Sequence, residues 1–183
     1  MKIIVAVTGA SGIIYGKRLL QVLKDKGAEV YLIVSENAKT IARIELSDQS
    51  GFIGLAKHIY DSNDLTAPLS SGSFKVDGMV VVPATMKTLA AIASGFSENL
   101  ITRAADVQLK ERRPLILVPR ETPLNLIHLQ NMTKLSSLGA VILPAMPAFY
   151  HKPKNIEDLV DFVVGKILDQ LGLEHELYRR WGK

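Results

Sequence analysis

Residues Lys2–Gly16 read KIIVAVTGASGIIYG, and this stretch decides the fold. Ile3–Val7 is a continuous apolar, largely β-branched run of strand length, which fits a central strand covered on both faces. Thr8-Gly9-Ala10-Ser11-Gly12 are all small, and after them Ile13, Ile14, Leu19, Leu20 and Leu23 recur at helical spacing. The reading is strand, tight turn, helix. Such a turn lets an anion approach the backbone, where the first N–H groups and the helix dipole are positive. Ser11 and Thr8 can add hydroxyl donors. An ordinary βα turn without a ligand has the same pattern, so both readings stand at this point.

Outward from this stretch, the first helix is expected over Gly12–Lys26, stopped at Gly27. Further apolar strands are expected at Val30–Val34, Gly78–Pro83, Leu115–Val118 and Ala140–Leu143. Helical spacing runs from Glu36 to Leu46, from Thr85 to Gly95, from Asn99 to Arg112, from Leu124 to Leu138 and from Ile156 to Leu171. Ser47–Ser73 reads as a long, partly ordered connection with a short helix near Phe52–Lys57. Alternating strands and helices predict an α/β fold: a three-layer Rossmann-like (flavodoxin-like) doubly wound parallel sheet, in one domain over residues 1–183. Ligands of such sheets sit beyond the carboxyl ends of the strands. The segments leaving those ends are 9–12, 35–37, 85–88, 120–122 and 144–150, and each carries polar or catalytically capable side chains.

Composition narrows the classes. The chain has 183 residues, 48% of them hydrophobic and 22% charged, as in a soluble globular domain. No apolar run reaches the roughly 18–20 residues that span a membrane. Lys2 leads straight into a strand without a small-residue cleavage site, so a cytoplasmic protein is expected. The absence of cysteine excludes disulfides, thiolate metal sites and a cysteine nucleophile. The net charge of +4 is modest, and its one cluster, Lys110-Glu111-Arg112-Arg113, and tail pair, Arg179-Arg180, are weak support for nucleic acid. The four histidines, His58, His128, His151 and His175, have no metal-ligand spacing, so no metal is expected.

A nicotinamide reductase is the natural rival for VTGASG. A ribose-binding acid belongs at the end of the second strand, and Ser35 stands there instead, with Glu36 one step late. The pair Tyr150 and Lys154 has the spacing of a catalytic Tyr-x-x-x-Lys, but Pro153 lies between them and would disrupt the helix it needs. Hydroxyls at Ser11, Ser35, Thr85 and Thr88 suit a single phosphate and a polar ring edge better than a pyrophosphate. Arg120-Glu121, held between Pro119 and Pro123, is the most chemically suggestive pair. Its glutamate could shuttle a proton, or the two could be a plain surface ion pair. Lys166 flanks the apolar stripe of the last helix, where a snorkelling lysine is the bland alternative. Tyr178 and Trp181 in the tail fit an oligomer contact.

Taken together, VTGASGIIYGKRLL, SSGSF (70–74), MKTLAAIASG, ERRPL, PRETPLNLIHLQNM and PAMPAFY resemble the flavin prenyltransferases of the UbiX/Pad family, in order and over essentially the whole chain. The resemblance implies a metal-independent enzyme that joins the dimethylallyl group of dimethylallyl phosphate to N5 and C6 of reduced FMN. The prenylated FMN then serves a UbiD-type decarboxylase. It implies FMN contacts from Gly9, Ala10, Ser11, Ser35, Thr85, Met86, Lys87, Thr88 and Arg120, with Ser11 near N5. It implies a prenyl-phosphate site of Lys110, Arg120, Glu121, Tyr150 and Lys166, in which Glu121 moves protons. It also implies a homo-oligomer, trimer-based and up to a dodecamer, whose residues 172–183 pack on a neighbouring subunit. Two departures stand out. Ala84-Thr85 replaces the Cys-Ser common in the family, keeping the hydroxyl, and Lys166 stands where an arginine occurs, keeping charge without the bidentate fork. Related cysteine decarboxylases carry an Asn and a catalytic His where Lys87 and Ser71 stand here. The alternatives are an FMN-carrying accessory subunit of an aromatic-acid decarboxylase and the nicotinamide-dependent reductase.

Overall fold

The computed structural model describes residues 1–46 and 51–182. Its centre is β1 (Lys2–Val7), β4 (Gly78–Ala84) and β5 (Leu115–Pro119), and Val5, Val80 and Ile116 on them are wholly buried. Flanking them are β2 (Glu29–Val34), β3 (His58–Asp61) and β6 (Val141–Ile142), giving one six-stranded sheet of order β3-β2-β1-β4-β5-β6. Every pairing is parallel.

Alternate side chains of each central strand serve the two faces. Ile3, Val5 and Val7 pack with Leu19, Leu20 and Leu23 of α1 (Ile13–Asp25) and Val160, Val164 and Ile167 of α6 (Ile156–Gln170). Ala38 and Ala42 of α2 (Glu36–Glu45) join the same layer. Ile4 and Ala6 face the opposite layer. There they meet Leu89 of α3 (Met86–Ser94), Ala104 of α4 (Leu100–Lys110) and Leu135 of α5 (Leu126–Ser137). The expected doubly wound sheet is therefore present.

Several details differ from expectation. Five strands are expected and six are found among the described residues, because β3 lies inside the stretch read as a loop. Its four residues alternate half-buried and exposed at the sheet edge, so no apolar run marks it. Residues 47–50 of that stretch lie outside the described residues, and the short helix expected near Phe52–Lys57 is a single 3₁₀ turn, Ile53–Leu55. Helix α5 begins at Leu126 rather than Leu124, because Asn125 caps it: its side chain accepts from the His128 N–H at 2.9 Å.

Helix α1 lies close on the sheet through Gly16. A Cβ built there falls 2.8 Å from the Val82 carbonyl oxygen and 3.3 Å from Val7 Cγ2. Alanine is favoured over glycine in a helix by about 1 kcal/mol, but backbone overpacking costs about 1–3 kcal/mol. Gly16→Ala is expected to lower the thermal midpoint by several degrees in a calorimetric scan, against its helix propensity.

Candidate flavin site at the carboxyl edge of the sheet

Because all strands run one way, their exits share one edge. Thr8 ties two of them together. Its hydroxyl donates to the Pro83 carbonyl at 2.7 Å and accepts from the Thr85 N–H at 2.9 Å. Thr8 is only 2% exposed, so it is an internal brace and not the ligand donor that its position in the turn implies. The β5 exit joins the same group. The Arg120 N–H donates to the Ala84 carbonyl at 3.3 Å, and Arg120 Nε donates to the Ser11 carbonyl at 3.2 Å. Ser11, Thr85, Arg120 and the adjoining Glu121 are thus gathered. The loop after β6 is sewn to them by the Ala145 N–H, which donates to the Pro119 carbonyl at 3.0 Å. Between that loop and residues 119–122 lies a cleft of about 310 Å³, lined in part by Arg120, Glu121, Leu124 and Met146.

The hydroxyls expected to meet the flavin cap helices at this edge. Ser35 Oγ accepts from the Ala38 N–H at 3.2 Å, and Thr85 Oγ1 accepts from the Thr88 N–H at 3.2 Å. A hydroxyl that accepts in a cap still has its own proton to give, so Ser35 and the Thr85–Thr88 pair, 2.9 Å apart, can donate to a phosphate or a ring carbonyl. Gly9 allows the close approach: a Cβ there would lie 2.5 Å from Asn37 Cβ at the start of α2. Ala10 is buried beside it and Ser11 is exposed. Met86 packs its side chain into the core, which leaves only its backbone for a ligand. Lys87 projects outward, 3.8 Å from Glu98.

One residue was missed. The Glu45 carboxylate accepts from the Gly12 N–H at 2.9 Å and the Ile13 N–H at 2.9 Å. It occupies the positive end of α1, where the sequence reading expects a ligand anion; the chain supplies that anion itself. Nothing local marks it, because Glu45 lies at the far end of α2.

Of the other residues expected around a prenyl phosphate, Lys110 is found in one place and Tyr150 and Lys166 in another. Lys110 ends α4 and leads back to the start of β5, so it sits at the opposite edge of the sheet from Arg120. There it pairs with Glu111 and holds that carboxyl below its usual range. Residues 70–73 surround the pair, and the guanidinium of Arg113 donates to the Gly72 carbonyl at 2.6 Å. Tyr150 and Lys166 lie with α6 and the tail. The Tyr150 ring meets Phe162 at 5.9 Å and Trp181 at 5.1 Å, and Lys166 Nζ is 3.6 Å from Asp169. Burial opposes ionisation of Asp169. Hydrogen bonds from Arg180 and Tyr178, with the charges of Arg180 and His175, outweigh it and bring its carboxyl down to about 2. Burial, and then the bond to Asp169, push the Tyr178 hydroxyl up to about 12. Among the described residues, no group of three or more His, Cys, Asp or Glu side chains could hold a metal ion, and no helix is long and apolar enough to cross a membrane.

Thr8→Val keeps the shape of the brace and removes its oxygen. The Thr85 N–H is then left without its acceptor, a loss of about 1–3 kcal/mol. Lower thermal stability and weaker FMN binding in a fluorescence titration are expected for Thr8→Val, with both restored in Thr8→Ser.

A family model described as Flavoprotein matches residues 1–168. The flavin prenyltransferase UbiX of Methanocaldococcus jannaschii is 58% identical over 183 residues, covering 100% of this chain and 99% of the relative. The crystal structure of AnUbiX (PadA1) in complex with FMN and dimethylallyl pyrophosphate superposes with a TM-score of 0.97 at 48% identity, covering 100% of this chain and 97% of that one. A dodecameric FMN-dependent Ubix-like decarboxylase from Escherichia coli O157:H7 does so with a TM-score of 0.97 at 48% identity, covering 100% of both chains. The chain belongs to the flavoprotein family and, within it, to the UbiX flavin prenyltransferases.

Proposed function

We propose that this protein transfers a dimethylallyl group from dimethylallyl phosphate to N5 and C6 of reduced FMN, and that the prenylated FMN is passed to a UbiD-type decarboxylase. The observation that carries the reading is the gathering of Ser11, Thr85, Arg120 and Glu121 at one strand edge, in a chain similar throughout to a protein crystallised with FMN and dimethylallyl pyrophosphate. Reduced FMN supplies the two nucleophilic ring positions. The hydroxyls of Ser35, Thr85 and Thr88 donate to its polar groups, with Gly9, Ala10, Ser11 and the backbone of Met86 and Lys87 at close range and Arg120 beside them.

The residues' work is electrostatic. As the allylic C–O bond breaks, the phosphate leaves with the electron pair, and cations placed around it stabilise the growing negative charge. Arg120, Lys110 and Lys166 supply those cations and Tyr150 a hydroxyl. Glu121 lies exposed beside Arg120, its carboxylate accepting from the Thr122 N–H at 3.1 Å, and it carries protons to and from the phosphate. A closed, apolar surround favours the positive allyl fragment.

The active form is a homo-oligomer built from trimers. Two features support this. Lys110 lies at the opposite edge of the sheet from Arg120 on the single chain, so a neighbouring subunit is needed to bring it to the phosphate. Exposed Phe96, Leu126, Ile127, Met146 and Phe149 give those neighbours apolar surface to cover. The similar Escherichia coli protein is described as dodecameric.

Anaerobic incubation with reduced FMN and dimethylallyl phosphate tests the reading. Mass spectrometry of the released flavin is expected to show one added five-carbon unit. Glu121→Gln is expected to keep FMN and lose turnover by about 100-fold or more. Flavin that returns unmodified from wild-type protein, with the monophosphate and with the diphosphate alike, contradicts it.

A further inference from the structure

The last turns of α6 carry a docking place for the tail of their own chain. Gly165 and Asp169 stand one turn apart, on one face of the helix. A Cβ on Gly165 would lie 2.6 Å from His175 Cε1 and 2.6 Å from Tyr178 Cε1, so the missing side chain is what lets those two rings lie against α6. One turn on, a single carboxylate gathers the tail. Asp169 accepts from the Tyr178 hydroxyl at 2.9 Å and from the Arg180 guanidinium at 2.7 Å, and His175 Nε2 lies 3.1 Å away. The His175 side chain is 1% exposed. The tail so held brings Trp181 edge-on to Tyr150, the ring planes at 88°. Beside them opens a cavity of about 590 Å³, lined in part by Tyr150, His151, Lys152, Arg180 and Trp181.

We propose that Gly165 and Asp169 are positioning residues for the prenyl-donor site, folding residues 175–181 into a hook on their own α6 that fixes Arg180 as a further phosphate-binding cation. This rests on the prenyltransferase reading above. Arg180 has five N–H donors and spends only part of them on Asp169, so the rest remain for a phosphate, with Lys166 beside it on the same carboxylate. The hook also sets Trp181, 79% exposed, as an apolar wall that a neighbouring subunit can close upon. Docking the tail in advance spares the ordering entropy that a loose tail would lose when donor binds. The gain therefore falls on donor affinity, while the flavin edge is untouched.

Trp181 is the single tryptophan, which makes the hook observable without turnover. The test uses full-length Gly165→Ala and Asp169→Asn proteins, each loaded with FMN as a check on folding. In both, time-resolved anisotropy of Trp181 is expected to gain a fast local component. KM for dimethylallyl phosphate is expected to rise about tenfold while kcat stays within about threefold and FMN affinity holds. A plain structural role would instead lower FMN affinity and kcat together. Unchanged Trp181 motion in both variants overturns the hook, and a freed Trp181 with unchanged KM overturns its role in donor binding. Wild-type protein that binds FMN and transfers no prenyl group overturns the functional reading instead, with the anisotropy still reporting the hook.

Discussion

The parallel direction of six strands is the constraint from which the rest follows. Once β1, β4 and β5 are buried on both faces, the chain can only return along helices, and every strand exit falls on one edge. The polar groups that a ligand needs then need not be near in sequence. The Thr8 hydroxyl converts that shared edge into a fixed one, because it bonds the β4 exit on both sides of residue 84. A buried hydroxyl with both partners met is worth keeping, since removing it strands a backbone donor.

The same constraint separates charges. Helices return to the opposite edge, so Lys110 at the end of α4 lies at the other edge of the sheet from Arg120. Lys166 stands on α6, and Tyr150 lies in the loop before it with its ring against Phe162. Within one chain Arg120 stands at the carboxyl edge, Lys110 at the opposite edge and Lys166 on α6. On the proposed account this is a division of labour: one subunit holds the flavin, and its neighbours close the phosphate cup over it. Water is excluded only when the cup is shut, which is when cations act most strongly on a leaving group.

How much of this was legible in the sequence depended on distance along the chain. Central strands announce themselves as apolar runs, and Ser35, Thr85 and Asn99 mark their helix starts by local capping chemistry. Strand β3 did not, because an edge strand with one wet face carries no run. Glu45 did not, because the bonds it makes to Gly12 and Ile13 are set by how α2 folds over the turn. The placement of Lys110 was hidden for a related reason. Motifs list residues, and only the topology says which edge each one reaches.

Subunit mixing tests the division most directly. Arg120→Ala protein lacks a flavin-edge group, and Lys166→Ala protein lacks a donor-side group. Each homo-oligomer is expected to be nearly inactive. Co-assembled from mixed, dissociated subunits, the two are expected to regain a substantial part of wild-type prenylation, because some sites then draw an intact flavin edge from one chain and an intact Lys166 from another. No recovery in mixed oligomers, with their co-assembly verified by mass, would mean that all the groups act within one chain, and the account would be wrong.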